Sequence, residues 1–224
     1  MAQSTLGGES PPAPRPPILW DRIVRVSHWG IVIVILANEV FTKGGSALHV
    51  WFGWGGLVLL LLRMAWGVIG SPEARFSAFP PNPLAALGHI KQLFVGKPRS
   101  YGSHNPAGAM MAYALWACIA FMVATGLSMS GPNPFAVAER EAIVESGDWS
   151  KLVQTSDSGE GDTEEEGSGW VKDAHEIVAN LILLLVALHI GGVIVESVMM
   201  RHNLVPAMLV GRRKTKAVRN AKPQ

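Results

Sequence analysis

Charge is what this sequence most lacks. Only 16% of its 224 residues are charged while 49% are hydrophobic, against about 25% charged in a typical soluble domain. The apolar residues are also gathered into blocks rather than spread along the chain, which excludes an ordinary soluble domain and points to lipid. Cysteine is nearly absent. Cys118 stands alone inside an apolar block, so no internal disulfide forms, and without a CxxCH run there is no site for covalent c-type haem attachment. Cys118 itself reads as a small packing residue. The first 17 residues lack an apolar run and carry Glu9 and the prolines Pro11, Pro12, Pro14, Pro16 and Pro17. This excludes a cleavable signal peptide and reads as a disordered cytosolic arm, with the first apolar block serving as an uncleaved signal.

What is present is four apolar stretches, each close to the roughly 20 residues that a helix needs to cross a hydrocarbon core about 30 Å thick. They run over residues 23–41, 49–69, 107–129 and 171–200. The expected fold is therefore all-α: an integral membrane four-helix bundle over residues 18–206, preceded by the arm 1–17 and followed by a basic tail 207–224. The short link between the first two stretches makes them antiparallel neighbours. Within the long Pro- and Gly-containing connection 70–106, the segment from Leu84 to Val95 is amphipathic enough to lie along the membrane surface.

The positions of the charges set the orientation. Arg15, Arg22 and Arg25 precede the first stretch, and Arg75, Lys91, Lys97 and Arg99 lie between the second and third. Arg201, Arg212, Arg213, Lys214, Lys216, Arg219 and Lys222 follow the fourth. The positive-inside rule places all three groups in the cytoplasm. The opposite loop, 130–170, holds Glu139, Glu141, Glu145, Asp148, Asp157, Glu160, Asp162, Glu164, Glu165 and Glu166 against only Arg140 and Lys151. Both termini are expected inside a bacterial-type cell membrane. The net charge of +2 gives no reason to expect a nucleic-acid partner.

Four of the seven histidines fall within the apolar stretches, where polar side chains are costly and tend to mark function. His175 and His189 are 14 residues apart, hence about 40° apart around a helix and roughly 21 Å apart along it. With the topology above, His28 sorts by depth with His189 on the inner side, and His49 with His175 on the outer side. No level offers more than two histidines, whereas zinc or copper usually recruits three or four clustered ligands. Two stacked pairs suit two bis-histidine haems, each clamped by imidazoles from facing helices.

Arg63 lies 14 residues after His49, so it shares that face at the depth of the inner pair. A haem propionate would partner it there; the alternative is an arginine snorkelling to the cytoplasmic headgroups. Gly53, Gly55, Gly56, Gly191 and Gly192 leave room either for a flat macrocycle or for close helix packing. His89, His104 and His202 read as structural, and Asn105-Pro106 as a helix start. Trp20, Trp51, Trp54, Trp66 and Trp170 fit an aromatic belt.

Several runs together resemble the bacterial cytochrome b561 proteins, which include the b-type subunits of nickel-iron hydrogenases. They are Trp20-Asp-Arg-Ile-Val-Arg-Val-Ser-His28-Trp29, Arg63-Met-Ala-Trp-Gly-Val-Ile-Gly70, Ala74-Arg-Phe-Ser77, His104-Asn-Pro-Ala-Gly108, His175-Glu-Ile-Val-Ala-Asn180 with His189, and His202-Asn-Leu-Val205 with Ala207-Met208 and Gly211. The resemblance implies a four-helix bundle with two non-covalent b haems on the same four histidines. It also implies electron exchange with the quinone pool and a redox partner. The acidic loop is longer and more charged than the resemblance leads one to expect.

The leading expectation is an electron-transfer subunit working between quinone or quinol and a periplasmic cytochrome c or an oxidoreductase subunit, with homo-oligomerisation left open. The acidic loop would steer a cationic partner, or merely stay solvated. The alternative is a self-contained superoxide:quinone oxidoreductase of the same fold, but that needs a basic entry on the outer face, where only Lys43 and Lys172 lie near the spans. A haem-free transporter would leave both histidine pairs unexplained. Asn38, Glu39 and Glu196 are polar candidates for a quinone site.

Overall fold

The computed structural model describes residues 20–95, 104–147, 150, 165–200 and 203–211. The basic tail from 212 onward, the arm 1–17, His202 and most of the acidic run after residue 150 lie outside them. Among the described residues the chain is helical. Four helices are long and apolar enough to cross a membrane: α1 (Arg22–Phe41), α2 (Ala47–Ile69), α4 (Pro106–Ser130) and α6 (Glu165–Met199). Three shorter helices connect or flank them: α3 (Pro83–Phe94), α5 (Pro134–Ser146) and α7 (Val205–Val210).

Local chemistry starts and stops these helices. Orphan N–H groups in a first turn are met by a capping side chain. Asp21 accepts from the Val24 N–H at 2.9 Å, Ser46 from His49 at 3.3 Å and Asn105 from Gly108 at 2.6 Å. In α3, α4 and α5 an asparagine cap is followed by proline at the start of the helix, where its missing N–H costs nothing. At the C-terminus of α5, Gly147 takes the left-handed conformation (φ 69°), which an L side chain rarely adopts.

The boundaries correct the sequence reading in two places. Because Ser46 is the cap, α2 begins at Ala47 and His49 sits inside its first turn rather than opening the helix. The acidic loop also contains an ordered helix, α5, that charge composition concealed. It lies against α2: Phe135 stacks edge-on with Trp51 at 5.0 Å, and the Glu141 carboxylate accepts from the Ala47 N–H at 2.9 Å. An anion at the positive end of the α2 dipole is favourable.

The spans pack in sequence, α1 along α2, α2 against α4 and α4 along α6, with α3 docked on α4. No comparable packing joins α1 or α2 to α6 among the described residues, so the bundle is most open between those partners. Leu60, Ile119 and Ile182 form the central core, with Ile35, Met64, Cys118 and Val186 around it. A second core at the chain-terminal end joins Trp20, Val24, Ala74 and Ala207. There Asp21 also accepts from Trp66 Nε1 at 2.7 Å and the Ser71 hydroxyl at 2.6 Å, tying the start of α1 to the end of α2. Burial alone would raise the Asp21 carboxyl, but these donors and the first-turn N–H groups outweigh it and hold it below the usual range. The bundle thus has a tail end, where α1 begins and α6 finishes, and an α5 end.

Candidate functional site

Two histidine pairs bridge the open side of the bundle. At the tail end the His28 ring of α1 faces His189 of α6, with ring centroids 6.2 Å apart and planes tilted by 58°. At the α5 end His49 of α2 faces His175 of α6, at 6.1 Å and 59°. All four rings are half-buried. The structure therefore brings together the same partners that depth sorting matches.

The separation tests what such a pair can hold. A metal–imidazole bond of about 2.0–2.1 Å plus about 1.1 Å from nitrogen to ring centre, on both sides of one ion, spans about 6.2 Å. Both pairs match that span. Among the described residues no group of three or more His, Cys, Asp or Glu is placed to hold a metal ion. A pair offers two nitrogen donors only, so a metal held there would have to bring its other ligands with it, as the iron of a haem does. A side chain at Gly53, four residues after His49, or at Gly192, three after His189, would meet nothing within 4 Å, so those faces of α2 and α6 are open. Haem fits this donor set.

The surroundings of the two pairs differ. At the α5 end each ring touches a threonine hydroxyl. Thr125 Oγ1 of α4 is 2.7 Å from His175 Nδ1, and Thr42 Oγ1 is 3.3 Å from His49 Nδ1. At the tail end neither His28 nor His189 has a ring hydrogen bond among the described residues, and His28 instead meets the edge of Trp29 at 5.4 Å.

Arg63 sits beside the tail-end pair. Asp21 meets Trp66 across α1 and α2, and Gly30 faces Leu59. These matches put His28 within about one helical turn of Arg63 in depth. Arg63 is 4% exposed and is walled by Trp116, Phe76 and Phe79, whose ring centres lie 4.8, 5.7 and 6.0 Å from its guanidinium carbon. Phe76 can approach because Gly67 has no side chain to obstruct it. One guanidinium nitrogen donates to the Ala74 carbonyl at 3.2 Å. A second, Nη1, is buried without a partner among the described residues.

His104 packs between Trp20 (4.6 Å) and Phe79 (4.3 Å). Its imidazole is pushed down to about 4, by burial first and then by Arg63, His189 and His28. His89 is also buried, on α3, and burial lowers it. Of the polar candidates, Glu196 accepts from the Asn105 side chain, the Asn38 carbonyl accepts from Thr42, and Glu39 is exposed. Sequence reasoning missed Thr42, Thr125 and the Asp21 knot. The available signals were a hydroxyl just past the end of one apolar span, another in the last turns of a second, and an aspartate just ahead of the first.

Residues 19–211 match the family model described as prokaryotic cytochrome b561. No curated protein and no solved structure gives a match.

Proposed function

Since this chain belongs to the prokaryotic cytochrome b561 family, whose haem b proteins carry electrons across membranes, we propose that it does so through two haems at opposite depths. His28 and His189 hold one and His49 and His175 hold the other. The observation that carries this reading is the pair of ring separations, 6.2 and 6.1 Å, at two levels of α6. Each haem supplies reversible one-electron chemistry; the chain supplies axial nitrogens, burial and charge.

The tail end faces the cytoplasm of the bacterial cell membrane, in keeping with Arg22, Arg25, Arg75 and Lys91 there. The α5 end faces outward, where Glu139 and Glu145 remain exposed while Glu141 is engaged with α2. Quinone or quinol is one exchange partner. The other is a cationic electron carrier of the cytochrome c kind, or an oxidoreductase subunit, steered by the carboxylates of the α5 end. Arg63 Nη1 is left with a donor that a haem carboxylate would satisfy.

Haem quantification on the purified protein tests the reading, with two non-covalent low-spin b haems per chain as the expected result. One haem, or a covalent one, would end it.

A further inference from the structure

The hydroxyls at the α5 end do more than fill space. Thr125 Oγ1 lies 2.7 Å from His175 Nδ1, and also 2.9 Å from the Phe121 carbonyl and 3.2 Å from the Met122 carbonyl. Thr42 Oγ1 lies 3.3 Å from His49 Nδ1 and 2.8 Å from the Asn38 carbonyl. In both rings Nδ1 is thus occupied by a threonine, and Nε2 is the nitrogen left to bind a metal. A neutral imidazole that gives the lone pair of Nε2 to iron carries its proton on Nδ1. Nδ1–H is therefore the donor and the hydroxyl oxygen the acceptor, while the single hydroxyl proton turns to the backbone carbonyl of its own helix. Each threonine relays a carbonyl's polarity to one ligand.

An acceptor on the remote N–H fixes the ring's tautomer and plane and makes the ligand more basic. A more basic axial ligand favours ferric over ferrous iron, so it lowers the reduction potential. Thr125 is 8% exposed, which keeps water from substituting for it.

Resting on the two-haem reading above, we infer that Thr125 and, more weakly, Thr42 are positioning residues that orient His175 and His49 through Nδ1 and hold the α5-end haem at a lower potential than its ligands alone would set. The difference in strength follows from the two distances.

The test is spectroelectrochemical titration of the full-length holoprotein in detergent, with electron paramagnetic resonance of the ferric haems. The variants are Thr125→Val, Thr125→Ser and Thr42→Val. Valine keeps the shape and removes the acceptor; serine keeps the acceptor. At a fixed electrode potential, Thr125→Val should raise the reduced-to-oxidised ratio of the α5-end haem by about tenfold, equivalent to 59 mV for one electron, and shift its g values. Thr42→Val should do the same to a smaller extent. Thr125→Ser should stay near wild type, and the tail-end haem should not move. Loss of the α5-end haem in Thr125→Val with retention in Thr125→Ser also supports the role. An unchanged potential in both valine variants overturns it, as does equal loss of haem in Thr125→Val and Thr125→Ser, which would make position 125 a matter of packing. Wild-type protein with fewer than two haems would instead defeat the two-haem reading, and haem content measured on each sample separates the two failures.

Discussion

The two ends of the bundle hold the same kind of histidine pair in opposite surroundings. At the α5 end each imidazole leans on a threonine hydroxyl and a surface helix with exposed carboxylates lies nearby. At the tail end the rings have no such partner among the described residues, aromatic side chains crowd in, and a buried guanidinium sits about one turn away. The ligand identity is symmetric, so any difference in redox behaviour must come from these second neighbours. Acceptors and carboxylates stabilise positive ferric iron, and a buried cation stabilises ferrous iron. On the proposed two-haem reading both effects would point the same way, with electrons resting more favourably at the tail end.

The most severe way to break this comparison is to remove a ligand. Replacing His28 or His189 with alanine should abolish one spectral component, and replacing His49 or His175 the other, in low-temperature difference spectra. If the His28 and His49 variants lost the same component, the two-ended arrangement would be wrong. Next in size is Arg63→Met, which keeps a long apolar side chain within the aromatic walls. A unit charge roughly 10 Å away at an effective dielectric of about 20 is worth about 1.7 kcal/mol. The reduced-to-oxidised ratio of the tail-end haem at a fixed potential should therefore drop by roughly 15–20-fold. A much smaller drop would show the charge already neutralised by a haem carboxylate.

A gentler perturbation is Glu141→Ala at the α5 end. It removes an anion from the α2 N-terminus and the bond to Ala47 N–H, a loss of about 0.5–1 kcal/mol. Hydrogen exchange of the α5 amides should speed up while both haem spectra persist; unchanged exchange would mean that Phe135 and Trp51 suffice to hold the helix.

A pH-dependent effect concerns His104 at the tail end. Its folded value of about 4 lies below its ordinary 6.5, so between those values the unfolded chain binds more protons than the folded one. Its contribution to stability is complete above pH 6.5 and is lost as pH falls towards 4. Thermal unfolding across that window should be less steep in His104→Gln, and an identical pH profile would refute the burial argument.

Much of this arrangement was legible in the sequence because it depends on regular periods. The 14-residue interval between His175 and His189 fixes a shared face and a separation in depth on any helix, and loop charge matched the remaining histidines to each level. Asn105-Pro106 announced the start of α4 for equally local reasons. What escaped notice depends on contacts between helices. Thr125 is an ordinary residue near the end of a span until α4 lies along α6, and only that packing brings its hydroxyl to His175. The aromatic walls of Arg63 come from both the connection after α2 and α4, whose Trp116 lies 53 residues after Arg63. In α5 the cap Asn133-Pro134 and the stop Gly147 were present, but acidic composition made the segment resemble its solvated surroundings.

The central core of Leu60, Ile119 and Ile182 lies between the two histidine levels and offers no hydroxyl, carboxylate or amide side chain of its own. A proton advances by hopping along hydrogen-bonded groups, whereas an electron tunnels through aliphatic side chains without needing them. With a haem held at each level, as proposed, this layer would act as a dielectric between two plates, passing electrons while these three side chains offer protons no relay. With plates roughly 21 Å apart in a hydrocarbon slab about 30 Å thick, one electron crossing it works against about two-thirds of the membrane voltage. That is about 1.5 kcal/mol for every 100 mV. Any proton taken up or released during the redox reaction must enter at the surface where its electron arrives or departs, so the direction of electron flow decides whether turnover charges the membrane or discharges it.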